Sequence, residues 1–129
     1  MDNNTQTFTS SDKATGIKRV FLAAKNSAVG IRWMLKNEAA FRQECALLIC
    51  ALPFVFWMDF SLVERLLLIV SILFVMLTET INTAIEAVVD RISDEIHPLS
   101  GLAKDLGSAA VAISMVIAAA IWVIVLIGH

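Results

Sequence analysis

The sequence predicts an all-α membrane protein, with three transmembrane helices preceded by an amphipathic surface helix. Three observations carry this. Hydrophobic residues make up 58% of the 129 residues and charged residues 17%, and the mean hydropathy of +0.78 is far too apolar for a soluble domain of this length. Long charge-free runs recur, the clearest from Leu106 to Ile127. Basic residues gather ahead of the first run. The net charge of -2 is too weak to mark a nucleic-acid partner, and none is expected.

Met1 to Asp12 is built from Asn, Thr, Ser and Asp with Phe8 alone, and reads as a mobile polar tail before a single domain over 13–129. From about Lys13 to Lys36, apolar Ile17, Val20, Phe21, Ala24, Ala28, Ile31 and Leu35 recur at helical spacing, while Lys18, Lys25, Arg32 and Lys36 fall on the other side. That pattern suits a helix lying in the membrane surface against anionic headgroups. The first span is expected over about 39–58. Its charge-free part, Cys45 to Met58, is shorter than the ~20 residues that cross a bilayer, so the turns around Phe41 must contribute. Pro53 is tolerated there with a kink, and Trp57 marks the far interface before Asp59. The second span is placed at about 66–89 and the third at about 104–127. Ala103, Gly107, Ala110, Ser114 and Ala118 give the third a small-residue face for close helix packing. Three helices alone enclose little, so a site shared with neighbouring subunits is expected.

Six of the ten Lys and Arg residues, Lys13, Lys18, Arg19, Lys25, Arg32 and Lys36, precede the first span, which places the amino terminus in the cytoplasm. The Asp59 to Arg65 loop then faces outward and the Arg91 to Lys104 connection inward. Glu38, Glu86 and Lys104 consequently gather near the cytoplasmic face, where nucleotides are available.

The second span carries the main anomaly. Glu79 follows the apolar run Leu66 to Leu77, and Asn82, Thr83, Glu86 and Asp90 come after it at spacings that share one face of a helix. A charge near mid-bilayer costs about 2.5–3.5 kcal/mol even on lenient insertion scales, so the stripe cannot face lipid. Asn82 or Thr83 alone would suit an interhelical hydrogen-bond seam, but two Glu without a basic partner in the same span point to a functional site.

Carboxylates converging from two helices suit a hard cation. Mg²⁺ takes oxygen ligands, often one or two protein carboxylates plus substrate phosphate, and Glu38 and Glu86 would supply the two. Lys104 can neutralise phosphate charge, and the deeper Glu79 can orient or deprotonate a hydroxyl. No GxxxxGK[ST] loop is present, and the five glycines, at 16, 30, 101, 107 and 128, form no phosphate cradle.

Four blocks carry a family resemblance: N-E-A-A-F-R-Q-E from Asn37 to Glu44, E-T-I-N-T-A-I-E from Glu79 to Glu86, V-V-D-R from Val88 to Arg91, and A-K-D-L-G-S-A-A from Ala103 to Ala110. Together they resemble the bacterial integral-membrane diacylglycerol kinases, in register from about Arg19 to the carboxyl terminus. The resemblance implies a homotrimer with composite active sites in the bacterial inner membrane. Its activity would be ATP-dependent phosphorylation of diacylglycerol to phosphatidic acid with Mg²⁺, in phospholipid recycling. By the same resemblance Glu79 matches the catalytic base, with Asn82 in support, and Glu38 and Glu86 match the metal carboxylates. Arg19, Glu38, Glu86, Glu95, His97, Lys104 and Asp105 match positions around ATP. Arg19, Phe41, Arg42, Gln43, Glu44, Glu79 and Ser108 match contacts to the lipid substrate. Asn26 and Ile96 stand where the family pattern has Tyr, so nucleotide-base contacts there are not carried over, and the first nine residues look like an extension.

The remaining candidates read as structural. Cys45 and Cys50 match no redox or zinc spacing, and Trp33, Trp57 and Trp122 are interface or packing aromatics. Two other functions compete. Undecaprenol kinases share the E-x-I-N-T-A-I-E and A-K-D blocks, whereas N-E-A-A-F-R-Q-E and G-S-A-A favour diacylglycerol. The other is a non-enzymatic channel or transporter subunit with Glu79 and Glu86 lining an ion path.

Overall fold

The computed structural model describes residues 15–92 and 94–129. The expected polar tail over 1–12 lies outside the described residues. The described residues form four helices in order: α1 (Gly16–Asn37), α2 (Ala39–Trp57), α3 (Leu62–Ile92) and α4 (Pro98–Ile127). The chain divides between Asn37 and Glu38 into two compact units, α1 in the first and α2 to α4 in the second. In α1 the apolar stripe and the lysines fall on one continuous helix, as their spacing predicts, and Met34 is its buried residue. Glu38 alone interrupts the helical run, with extended backbone (φ -111, ψ 107).

Among the described residues two helices, α2 and α4, are long and apolar enough to cross a membrane, and little of either is buried inside the molecule. Leu47, Ile49 and Phe56 on α2 and Ile113, Val116 and Ile124 on α4 all stand exposed. Water would not tolerate such faces, and lipid does. The chain is an all-α membrane protein.

Local signals set the helix ends. Ser61 and Glu64 cap α3 reciprocally: Glu64 N donates to Ser61 Oγ (3.1 Å) and Ser61 N to Glu64 Oε1 (3.3 Å). The helix therefore starts at Leu62, ahead of the Leu66 expected from hydropathy, and the loop shrinks to Met58–Ser61. Likewise His97 caps α4 by accepting from Leu99 N through Nδ1 (3.1 Å), with Pro98 in the first turn. So α4 begins well before Lys104, and Lys104 and Asp105 ride on the helix rather than ending a loop. Pro53 sits within α2 without ending it.

Within the second unit α3 packs chiefly on α4 and less on α2. Rising positions on α3 meet falling positions on α4, so the pair is antiparallel. Trp122 Nε1 donates to Ser71 Oγ (2.9 Å), and Ser71 Oγ donates to Leu68 O (2.7 Å). Farther along, Thr78 Oγ1 donates to Ser114 Oγ (2.8 Å), which itself donates to Val111 O (2.6 Å). Next come Asn82 against Gly107 and the ion pair of Asp90 with Lys104 (2.7 Å). Lipid supplies no hydrophobic drive between helices, so close packing and such bonds hold the seam together. Near its other end Val55, Phe60, Leu68 and Val125 form the apolar core, with Ile69, Ile121 and Trp122 packed on it.

Candidate active site

The helical phase of α3 puts Glu79, Asn82 and Glu86 on the side turned toward its neighbours, where all three are half-buried. Glu79 meets Glu44 of α2, carboxyl facing carboxyl. Glu44 is buried, and its Oε2 has no hydrogen-bond partner among the described residues. Glu44 also lines an apolar cavity of about 320 Å³ between α2, α3 and α4, together with Leu47, Ile72, Val75, Met115 and Trp122 among others. Glu44 is the one acid in that lining.

One turn beyond Glu79, Asn82 Nδ2 donates to Glu86 Oε1 (3.3 Å). Asn82 Oδ1 is buried with no partner among the described residues and occupies the space beside Gly107. An unsatisfied buried acceptor costs about 1–3 kcal/mol, a cost that folding alone does not require. Past Glu86, Lys104 pairs with Asp90, both partners exposed, and Glu86 adds its negative charge to the surroundings of Lys104. Asp90, Asp94, Glu95, His97 and Lys104 line an open groove of about 300 Å³ where α3 gives way to α4. With Nδ1 of His97 accepting the cap bond, the neutral ring carries its proton on Nε2.

The structure thus gathers Glu44 with Glu79, Asn82 with Glu86, and Glu95 and His97 with Lys104. Arg19 lies on α1 in the first unit. Glu38 is half-buried at the start of α2, and its carboxylate makes no cap bond. Phe41 is buried, whereas Arg42, Gln43, Asp105 and Ser108 are exposed. Among the described residues no group of three or more His, Cys, Asp or Glu side chains could hold a metal ion.

Three features escape the sequence pattern. Glu44 faces Glu79 although family resemblance alone marks it as a lipid contact. Glu44 directly follows Arg42 and Gln43, so it lacks the long apolar approach that singles out Glu79, and no signal of that kind marks it in the sequence. The Asp90–Lys104 pair depends on α4 starting at Pro98. Gly107 carries the small-residue signal, but not its place under Asn82.

Residues 25–126 match the family model for prokaryotic diacylglycerol kinase. The chain belongs to the prokaryotic diacylglycerol kinase family. The matched residues hold every candidate above except Arg19. Among similar members, the diacylglycerol kinase of Escherichia coli strain K12 is 48% identical over 118 residues, 92% of this chain and 97% of the relative. That of Haemophilus influenzae is 44% identical over 110 residues, 85% of this chain and 93% of the relative. That of Pseudomonas aeruginosa is 42% identical over 114 residues, 88% of this chain and 93% of the relative. Members of the family are enzymes, and this chain is one of them.

Proposed function

We propose that this chain phosphorylates diacylglycerol to phosphatidic acid, using ATP with Mg²⁺ at the cytoplasmic side of the bacterial inner membrane, in phospholipid recycling. In this reading α3 is the second of three spans, between α2 and α4, and the amino terminus is cytoplasmic. The working unit is a homotrimer with active sites shared between subunits. One observation carries the reading: Glu79 meets Glu44, which lines an apolar cavity, while Glu86, Asp90 and Lys104 lie farther along the same helical seam. Glu79 and Glu86 are separated by about 10 Å at 1.5 Å rise per residue. A lipid-soluble acceptor and a water-soluble donor can therefore meet along a single helix.

Glu79 acts as the general base. It takes the proton from the primary hydroxyl of diacylglycerol as that oxygen bonds to the γ-phosphorus and the bond to the β-phosphate oxygen breaks, releasing ADP. Asn82 holds the Glu86 carboxylate in place through its amide N–H. Lys104 exchanges Asp90 for phosphate oxygens, assisted by Glu95, His97 and Asp105 around the nucleotide and by Arg19 of the surface helix. Phe41, Arg42, Gln43, Glu44 and Ser108 serve the lipid. Glu38 and Glu86 are oxygen donors of the kind that Mg²⁺ takes, and a pair of carboxylates suffices for an ion whose other ligands are phosphate and water. When bound, the ion neutralises charge on the phosphates.

The test is phosphoryl transfer by the purified chain with ATP and either diacylglycerol or undecaprenol as acceptor, for the wild type and for Glu79→Gln. Diacylglycerol is expected to be the preferred acceptor, and Glu79→Gln to lose about 10²–10⁴-fold in rate with its oligomer intact. Preference for undecaprenol overturns the substrate assignment. Full activity in Glu79→Gln overturns the base.

A further inference from the structure

We propose that Gly107 is a positioning residue for the phosphoryl-transfer site: by lacking a side chain, it lets the Asn82 amide lie where it orients Glu86. The inference rests on the role proposed for Glu86 above. Gly107 is buried on α4, and the Asn82 side chain occupies the volume that a Cβ would fill. A Cβ placed there would come to 3.2 Å from Asn82 Cγ and closer still to Oδ1, well inside van der Waals contact. The obstructing atoms belong to the end of a side chain, so the helices need not part: the amide gives way instead. An amide is planar and rigid, so displacing Oδ1 also displaces Nδ2, which holds Glu86 Oε1 at 3.3 Å.

No other described glycine stands in such a place. A Cβ at Gly30 or Gly101 would meet nothing within 4 Å, and at Gly128 only the backbone carbonyl of Ile124. Asn82 Oδ1 has no hydrogen-bond partner among the described residues, so hydrogen bonding does not account for its position against Gly107. What the placement achieves is the aim of Nδ2 at Glu86.

A double-mutant cycle separates this role from simple helix packing. Gly107→Ala, Asn82→Ala and the double variant are compared as purified full-length chains in lipid nanodiscs. Mn²⁺ binding, with a non-hydrolysable ATP analogue present, is followed by electron paramagnetic resonance alongside kinase kinetics and thermal unfolding. Gly107→Ala is expected to weaken Mn²⁺ binding by about 10–100-fold, the loss of one hydrogen bond to a charged group, and to lower kcat/KM for the metal–nucleotide complex with it. Asn82→Ala removes both the obstructing amide and the bond, so the double variant should match Asn82→Ala rather than multiply the two losses.

Wild-type Mn²⁺ binding in Gly107→Ala, or losses that multiply in the double variant, overturns the proposal. If Gly107→Ala fails to fold while the double variant folds, the clash with Asn82 is confirmed. If neither folds, Gly107 serves helix approach alone and the proposal fails. A wild-type chain that binds Mn²⁺ with the nucleotide analogue but does not phosphorylate diacylglycerol overturns the kinase reading and leaves the Mn²⁺ cycle to decide on Gly107. A wild-type chain that binds no Mn²⁺ overturns the Gly107 inference.

Discussion

At the His129 end of the α3–α4 seam, Val55 and Leu68 are wholly enclosed, Phe60 and Val125 close over them, and the Trp122 indole is satisfied by Ser71. At the Lys104 end, Asn82 keeps an amide oxygen without a partner among the described residues, Glu86 is half-buried, and Lys104 and Asp90 reach each other in the open. The same two helices make both ends. The difference teaches where this fold concentrates stability and where it leaves polar groups that the proposed chemistry would use. Polar groups tolerated at some cost mark the end proposed to do the work, and dense apolar contact marks the anchoring end.

Substitutions at each end should therefore act on different observables. Of three substitutions that compare the ends of the seam, Lys104→Met, which removes the cation proposed to meet phosphate, is expected to have the largest effect. It should lower kcat/KM for ATP by about 10–100-fold, corresponding to roughly 1.5–3 kcal/mol, while thermal unfolding barely shifts because an exposed ion pair contributes little. A comparable loss of thermal stability would place Lys104 with the anchoring groups and break the contrast. Leu68→Ala comes next. In lipid the transfer term largely vanishes and the cavity term remains, so about 2 kcal/mol of stability should be lost with kcat preserved in the folded fraction, measured by unfolding in detergent beside single-temperature kinetics. The smallest effect belongs to Ser114→Ala between the two ends. Interhelical hydrogen bonds in membranes average about 0.6 kcal/mol, and a loss near that value would show the Thr78–Ser114 layer to be neither anchor nor site.

Much of this was legible before any coordinates. Charge-free runs mark helices because a bilayer leaves few other backbone solutions, and the period of Glu79, Asn82 and Glu86 marks one face because a helix repeats every 3.6 residues. Helix ends were less legible from hydropathy, since it does not register a capping pair such as Ser61 with Glu64 or a cap such as His97 before Pro98. Those motifs were nonetheless present in the chain, and reading them would have moved both starts. The meeting of Glu44 with Glu79 depends on the register between α2 and α3. That register is decided by which apolar side chains interlock, among them Val55 with Leu68, and no single-helix period encodes it. Gly107 was readable as small, but only the approach of α3 shows what its smallness admits.

The helices of the second unit differ in length, with a consequence for traffic through the site. Measured from the level where Glu44 meets Glu79, α2 continues about 8 Å to Ala39, whereas α3 continues about 20 Å to Ile92 at 1.5 Å per residue. The α3–α4 pair thus overtops α2 as a stair overtops its tread. Asp90 and Lys104 stand on the riser, where α2 casts no cover. On the proposed arrangement a nucleotide could arrive and leave along that riser while the lipid slides in from the side beneath it, so α2, α3 and α4 would not have to separate during a turnover.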